Sequence, residues 1–222
     1  MSTLDLRVWY FQDSTPEGVP CREENFVRRE VTMPLPVEQT AFLLIDVWNN
    51  HFIESWAERA REVTVRVIVP ALAAARQAGL TIIHAPGIRE AVHYPQLARH
   101  TPPAPEPEPN WPPAEFRRRE GAYAIYRGPR HQPPGIGFRW NKVIPHLRIS
   151  PAIEVRDDDT VLGTGQQLHE FCGRHGILHL IVVGFATNWC VMGKDYGIRA
   201  MKARGYNFIP CQFSGVGRHS RL

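Results

Sequence analysis

The sequence predicts an α/β protein: a doubly wound, Rossmann-like parallel sheet with helices on both faces, preceded by a β-hairpin and interrupted by a long proline-rich insertion. Three observations carry this. Apolar runs of strand length recur, F-L-L-I at 42–45, L-T-I-I-H at 80–84 and I-L-H-L-I-V-V at 177–183, and continuous apolarity marks strands buried on both faces. Segments of helical period separate them, and such alternation argues for parallel strands joined by right-handed crossovers. The stretch T-P-P-A-P-E-P-E-P-N-W-P-P at 101–113 holds seven prolines, which neither an interior helix nor a central strand tolerates.

Each element follows in order. Residues 4–11 and 25–33 are rich in β-branched and aromatic side chains, with Pro16, Gly18 and Pro20 between them, and read as a hairpin within an N-terminal arm, 1–36. Residues 40–48 are the first core strand. A helix is expected over 64–78, with Pro70 as a kink or late start and Gly79 at its C′ position; residues 80–84 are the second strand. Residues 86–150 read as a surface insertion covering a site or a subunit contact, because long loops in compact domains are functional or disordered. A short strand at 159–162 precedes a helix opened by T-G-Q-Q, which fits a capping box with Thr164 as N-cap and Gln167 at N3. Leu168, Phe171, Cys172 and His175 form one face of that helix, and Gly176 ends it. A strand at 177–183, a helix at 191–204 stopped by Gly205, and a last strand at 206–210 complete the pattern.

Composition narrows the class. A chain of 222 residues, 43% hydrophobic and 22% charged, is expected to form one globular domain over 1–222. No run approaches the roughly 18 residues of a membrane span, and the N-terminus lacks a secretory pattern, so a cytoplasmic protein without a membrane partner is expected. The cysteines Cys21, Cys172, Cys190 and Cys211 are too dispersed for a disulfide framework. Net charge is +4, yet the basic residues cluster only at Arg117, Arg118 and Arg119, so no nucleic-acid partner is expected.

Sites in such sheets form beyond the carboxyl ends of strands, and two chemically capable residues fall there. Asp46 closes F-L-L-I, where partial desolvation raises a carboxyl pKa and suits it to proton transfer. Cys190 lies in G-F-A-T-N-W-C-V, 184–191, where a helix N-terminus would stabilise a thiolate. The plainer readings are a turn residue and a core cysteine.

Together, A-F-L-L-I-D-V-W-N-N, H-L-I-V-V-G-F-A-T-N-W-C-V and R-A-M-K-A-R-G-Y-N resemble the isochorismatase-like cysteine hydrolases, over about residues 40–85 and 150–210. The resemblance implies an Asp-Lys-Cys triad with Asp46 as general base and Cys190 as nucleophile. It also implies a cis peptide between Ala186 and Thr187, turning amides toward an oxyanion, and cleavage of a small amide or ureide through a thioester. Trp48, Asn50 and Asn188 are the expected substrate-binding side chains, Trp48 narrowing the pocket floor, and a homo-oligomer is expected by analogy.

The sequence departs from the family in three places. The lysine usually found at the end of the third strand is replaced by V-L-G-T-G-Q-Q, leaving Lys194, four residues after Cys190, or Lys142, in the insertion, as candidates. The family's metal-binding relatives use an Asp-x-His pair; His51, His84 and His93 form none, so no metal or other cofactor is expected. The tail 211–222 differs from the family's closing helix and reads as truncated or altered, an end that either weakens the fold or leaves an edge for a partner subunit. Two alternatives stay open: a catalytically silent binding protein on the same fold, and a dinucleotide-dependent oxidoreductase using G-T-G-Q-Q-L, which lacks the third glycine of that fingerprint.

Overall fold

Every residue of β3 (Thr40–Ile45) is buried, as its unbroken apolar run requires. A computed structural model describes residues 2–99, 111–127 and 135–211; the readings on the proline stretch before Trp111 and on the tail beyond Cys211 lie outside the described residues. β3 pairs in parallel with β4 (Thr81–Ala85) on one side and β6 (His179–Gly184) on the other. β5 (Thr160–Val161) flanks β4, β7 (Asn207–Pro210) flanks β6, and the order is β5-β4-β3-β6-β7. The chain therefore winds outward from the centre, returns to it, and winds outward the other way.

Alternation along β3 divides the core between two faces. Leu43 and Ile45 share one cluster with Leu168, Phe171 and Cys172 of α6 (Gly165–His175) and Met201 of α7 (Ile198–Ala203). Phe42 and Leu44 share the other with Ile68, Leu72 and Ala75. Each such side chain stabilises the fold by about 1.5–3 kcal/mol relative to exposure, so both faces must be covered. The helix that covers the second face starts ten residues before its expected position. α1 (Glu54–Val63) runs through a π-helical segment, Thr64–Ile68, into α2 (Val69–Gln77). Pro70 neither starts nor ends it: a wider turn, with the Val69 amide bonded to the Thr64 carbonyl, carries the helix past the missing N–H.

The N-terminal hairpin is present as β1 (Thr3–Gln12) paired antiparallel with β2 (Val27–Pro36). Leu4, Leu6, Met33 and Leu35 pack on the second core cluster. Trp9, Tyr10 and Phe11, farther along β1, stay exposed.

The insertion contains ordered pieces: α3 (Ile88–Ala91), α4 (Ala114–Arg118) and α5 (Ile136–Val143). Of the three arginines at its middle, Arg119 sets its guanidinium 4.1 Å from the centre of the Phe116 ring and Arg117 donates to the Pro112 carbonyl. The end of the insertion is laced to the loop after β3. Asn49 N–H donates to the Arg148 carbonyl at 3.0 Å, Arg148 N–H returns to Asn49 Oδ1 at 2.9 Å, and Ser150 N–H reaches the Val47 carbonyl at 2.8 Å. Among the described residues no helix is long and apolar enough to cross a membrane.

The capping box at α6 is half formed. Thr164 Oγ1 accepts from the Gln167 amide at 3.2 Å, but the Gln167 side chain turns to the Gly163 amide instead. Asp195 supplies the second cap, its carboxylate accepting from the Gly165 amide at 2.6 Å.

A buried charge cluster fixes β4 against β5. The Asp159 carboxylate receives Arg76 at 2.6 Å, His84 at 3.0 Å and the Arg156 amide at 2.9 Å. Burial by itself would raise its pKa, but these donors outweigh it and hold the carboxyl below its ordinary value. The stabilisation is therefore complete above the ordinary carboxylate range and is lost as pH falls through the lower folded value. Asp159→Asn, which leaves Arg76 only the longer, more exposed contact with Glu154 at 3.4 Å, is expected to cost about 3 kcal/mol at neutral pH in urea unfolding. The gap from wild type should narrow on acidification; a pH-independent gap would count against the ion pair as its source.

Candidate functional site

β3 and β6 are neighbours whose connections leave in opposite directions, so their carboxyl ends bound a crevice that no crossover closes. Asp46 stands at the first of these ends with φ 49°, a left-handed conformation that aspartate tolerates better than most residues. Its carboxylate is 5% exposed. Lys194 Nζ donates to both oxygens at 2.8 Å, and the Tyr196 hydroxyl donates to Oδ1 at 3.3 Å. The Cys190 thiol lies close enough to act on the same carboxyl. Burial pushes the Asp46 pKa up, Lys194, Cys190 and Tyr196 pull it back, and the net shift is upward.

The thiol responds in the same direction. Burial and the Asp46 charge push Cys190 up to about 12, against the opposing pull of Lys194 and a backbone hydrogen bond from Ala186. Both shifts run against the expectation of a thiolate stabilised at a helix N-terminus. Burial and Asp46 also push the Tyr196 hydroxyl up, so it remains a donor.

Glycine makes this convergence possible. A Cβ on Gly184, at φ 147°, would lie 1.8 Å from the Ile45 carbonyl oxygen, so its role is the close approach of β6 to β3 rather than clearance of the pocket. The cis peptide lies between Phe185 and Ala186, one bond earlier than expected. The expected helix at 191–204 is broken. Thr187–Val191 forms a π-helical turn closed by Val191 N–H to the Ala186 carbonyl at 3.2 Å, and Lys194 N–H bonds the Cys190 carbonyl at 3.1 Å. The chain then turns at Gly197, whose Cα packs so tightly that a Cβ would stand 2.7 Å from the Val191 carbonyl, before α7 begins. In an unbroken helix, side chains two residues apart point about 200° apart. The break lets Lys194 and Tyr196 both face Asp46.

The structure thus brings Asp46, Cys190 and Lys194 together and leaves Lys142 apart. Lys142 is exposed on α5, its ammonium 4.6 Å from the Phe138 ring centre. At the end of β5, where the resemblance puts a lysine, Gly163 is pressed against α3. A Cβ there would lie 2.6 Å from Ile88 Cα, so no side chain projects from that position.

Trp48 meets Phe185 at 5.3 Å and His51 at 5.2 Å, both with tilted rings, and His51 also meets Trp140 of α5 edge-on at 4.9 Å. An aromatic wall therefore joins the insertion to the turn that carries Cys190. His51 Nδ1 accepts from the Ile53 amide, and burial lowers its pKa, so it is a neutral ring of that wall. Asn50 Oδ1 accepts from the His51 amide, Ala186 is half-buried, and Thr187 and Asn188 are exposed. His84 is committed to Asp159, His93 is exposed, and among the described residues no group of three His, Cys, Asp or Glu side chains is arranged to hold a metal. The α6 N-terminus, where a dinucleotide phosphate would sit, already holds the Asp195 carboxylate.

Two residues of the crevice escaped the sequence reading. Tyr196 was hidden by the assumed unbroken helix, although Gly197 directly after it was a signal for the break. Glu90, on α3, is 8% exposed and feels the charges of both Lys194 and Asp46; no pattern in the insertion marked it.

The family model described as the isochorismatase domain matches residues 40–210. No curated protein matches the sequence significantly. Among solved structures, the chain is similar to a cysteine hydrolase from Pseudomonas syringae pv. phaseolicola 1448A, at 17% identity over 80% of this chain and 72% of that one, with a TM-score of 0.48. It is also similar to an isochorismatase from Pseudomonas putida KT2440, at 17% identity, 78% and 69% coverage and a TM-score of 0.38. An isochorismatase family protein from Burkholderia thailandensis matches at 16% identity, 78% and 76% coverage and a TM-score of 0.40.

The protonation pattern is directly testable. Thiolate absorbance near 240 nm, taken as wild type minus Cys190→Ala, should be absent below about pH 9, since a thiol this far above its ordinary value stays protonated there. Asp46→Asn, which removes the adjacent negative charge, should lower the midpoint. A Cys190 thiolate at neutral pH in the wild type would contradict the arrangement.

Proposed function

The chain belongs to the isochorismatase family of hydrolases, and from that premise we propose that it cleaves the C–N bond of a small amide or ureide through a thioester on Cys190. The observation that carries this reading is the contact of one carboxylate, Asp46, with both the Cys190 thiol and the Lys194 ammonium.

The chemistry follows from where the proton rests. A thiol with a pKa near 12 is a poor nucleophile until its proton leaves, and Asp46, a stronger base than an exposed carboxylate, takes it as sulfur attacks the carbonyl carbon. Negative charge then moves from Asp46 to sulfur and on to the carbonyl oxygen. Lys194 faces the first two of these anions from one position and needs no rearrangement between them. We assign the oxyanion to the amides of Ala186 and Thr187 in the turn. Collapse of the tetrahedral species expels the amine, which leaves with the proton held by Asp46. Asp46, ionised again, takes a proton from water as that water attacks the thioester, and the thiol is regenerated with release of the acid. Tyr196 keeps the Asp46 carboxylate oriented throughout, and the Trp48 wall with Asn50 and Asn188 bounds the substrate.

A panel of small amides and ureides tests this. Cys190→Ala is expected to show no turnover, and Asp46→Asn a kcat lower by about 10²–10⁴-fold. Lys194→Met should lower kcat by at least about a hundredfold, whereas Lys142→Met should stay within about twofold. Turnover by Cys190→Ala would refute the mechanism, and a wild type inert toward the whole panel would favour a silent binding protein. kcat/KM should climb with pH through a carboxylate pKa above the ordinary value, because Asp46 must be ionised to act, and Asp46→Asn should lose that limb.

A further inference from the structure

The mechanism leaves one buried carboxylate unused. Glu90 is 8% exposed, and among the described residues no side chain hydrogen-bonds or ion-pairs it; its own backbone amide is its donor. It faces the site. A Cβ built on Gly87, at φ 99°, would stand 2.8 Å from Glu90 Oε2, 3.2 Å from Lys194 Nζ and 3.5 Å from the Tyr196 hydroxyl. The carboxylate, the ammonium and the phenol therefore converge beside Gly87.

Lys194 donates to both oxygens of Asp46 and acts on Glu90 through its charge. A carboxylate so enclosed is costly unless donors meet it, and among the described residues its own backbone amide is the one donor that does. Asp46 and Glu90 both face the Lys194 ammonium, with the Arg89 charge acting on Glu90 from the exposed side of α3, and a carboxylate without a side-chain donor attracts a cation or an N–H donor more than an anion.

We propose that Glu90 is the substrate-recognition carboxylate of this site, selecting amides that carry an ammonium or N–H donor group and rejecting those that carry a carboxylate. The substrate class rests on the amide-hydrolase reading above; the subsite itself does not. Burial and the Asp46 charge raise the Glu90 pKa, so its selectivity weakens on acidification sooner than that of an exposed glutamate.

The test labels Cys190 with methanethiosulfonates of matched size, the cationic 2-aminoethyl and the anionic 2-sulfonatoethyl reagents. In each case the thiolate attacks the sulfenyl sulfur, forms a mixed disulfide and expels methanesulfinate. Rates are read by peptide mass spectrometry, with exposed Cys21 as internal reference. The cation-to-anion rate ratio at Cys190 should exceed that at Cys21 by about tenfold or more in the wild type, and Glu90→Gln should bring it within about threefold. Equal ratios at the two cysteines in the wild type, which no folding defect of a variant can cause, would overturn the proposal; so would a ratio unchanged by Glu90→Gln.

A second arm compares hydrolysis of β-alaninamide with that of succinamate. A kcat/KM about tenfold or more in favour of the former is expected. Hydrolysis of both without preference overturns the role of Glu90 and leaves the hydrolase reading standing. Charge-selective labelling without hydrolysis of any amide supports the subsite and counts against the hydrolase reading.

Discussion

A carboxylate taken out of water has to be met by positive charge, and Asp46 is the point on which the crevice turns. Removing one partner of a buried pair typically costs several kcal/mol, so the ammonium that meets it must be held firmly. Lys194 meets both oxygens from the segment that also carries Cys190. The π-helical turn, the break at Gly197 and the inward swing of Tyr196 follow from that demand, since a regular helix would point Lys194 and Tyr196 apart. Gly184 allows the same segment to start close enough to β3 for the contact to form.

The sheet supplies the place and the insertion supplies the walls. Winding in both directions from β3 opens a crevice at the centre of the sheet, where two strand ends can each present one reactive group. The insertion returns through Asn49 and Arg148 and through Trp140, so its ordered ends are fastened beside that crevice. α3 lies against Gly163, which closes the third strand end to any side chain and lets Glu90 occupy the neighbourhood instead.

Much of this architecture was legible in the sequence, because burial on two faces leaves continuous apolar runs such as 42–45 and 177–183. Asp46 and Cys190 were legible as the polar residues that end those runs. The choice between Lys194 and Lys142 was not, since it depends on whether α5 reaches the crevice, and no local pattern encodes that distance. Pro70 misled the reading of α1 and α2 because a π-helical segment absorbs a missing N–H without altering composition. The cis bond was displaced by one residue, a register detail that only the path of the turn decides. Glu90 lay in a segment without periodic signal, and its meaning comes from Gly87 and Lys194, which are distant from each other in sequence.

One consequence concerns how the machinery is inherited. With the third strand end closed by Gly163, the thiol, the ammonium and the phenol all lie within C-V-M-G-K-D-Y, residues 190–196, and only Asp46 is contributed from elsewhere. A site spread over three strand ends can lose or exchange one member at a time. Here a single insertion or deletion in seven residues would shift three functional groups together, while a transplanted segment would carry all three into any sheet that offers an aspartate at the adjacent strand end. Holding the ammonium and the thiol on one short segment makes the arrangement portable and its register unforgiving.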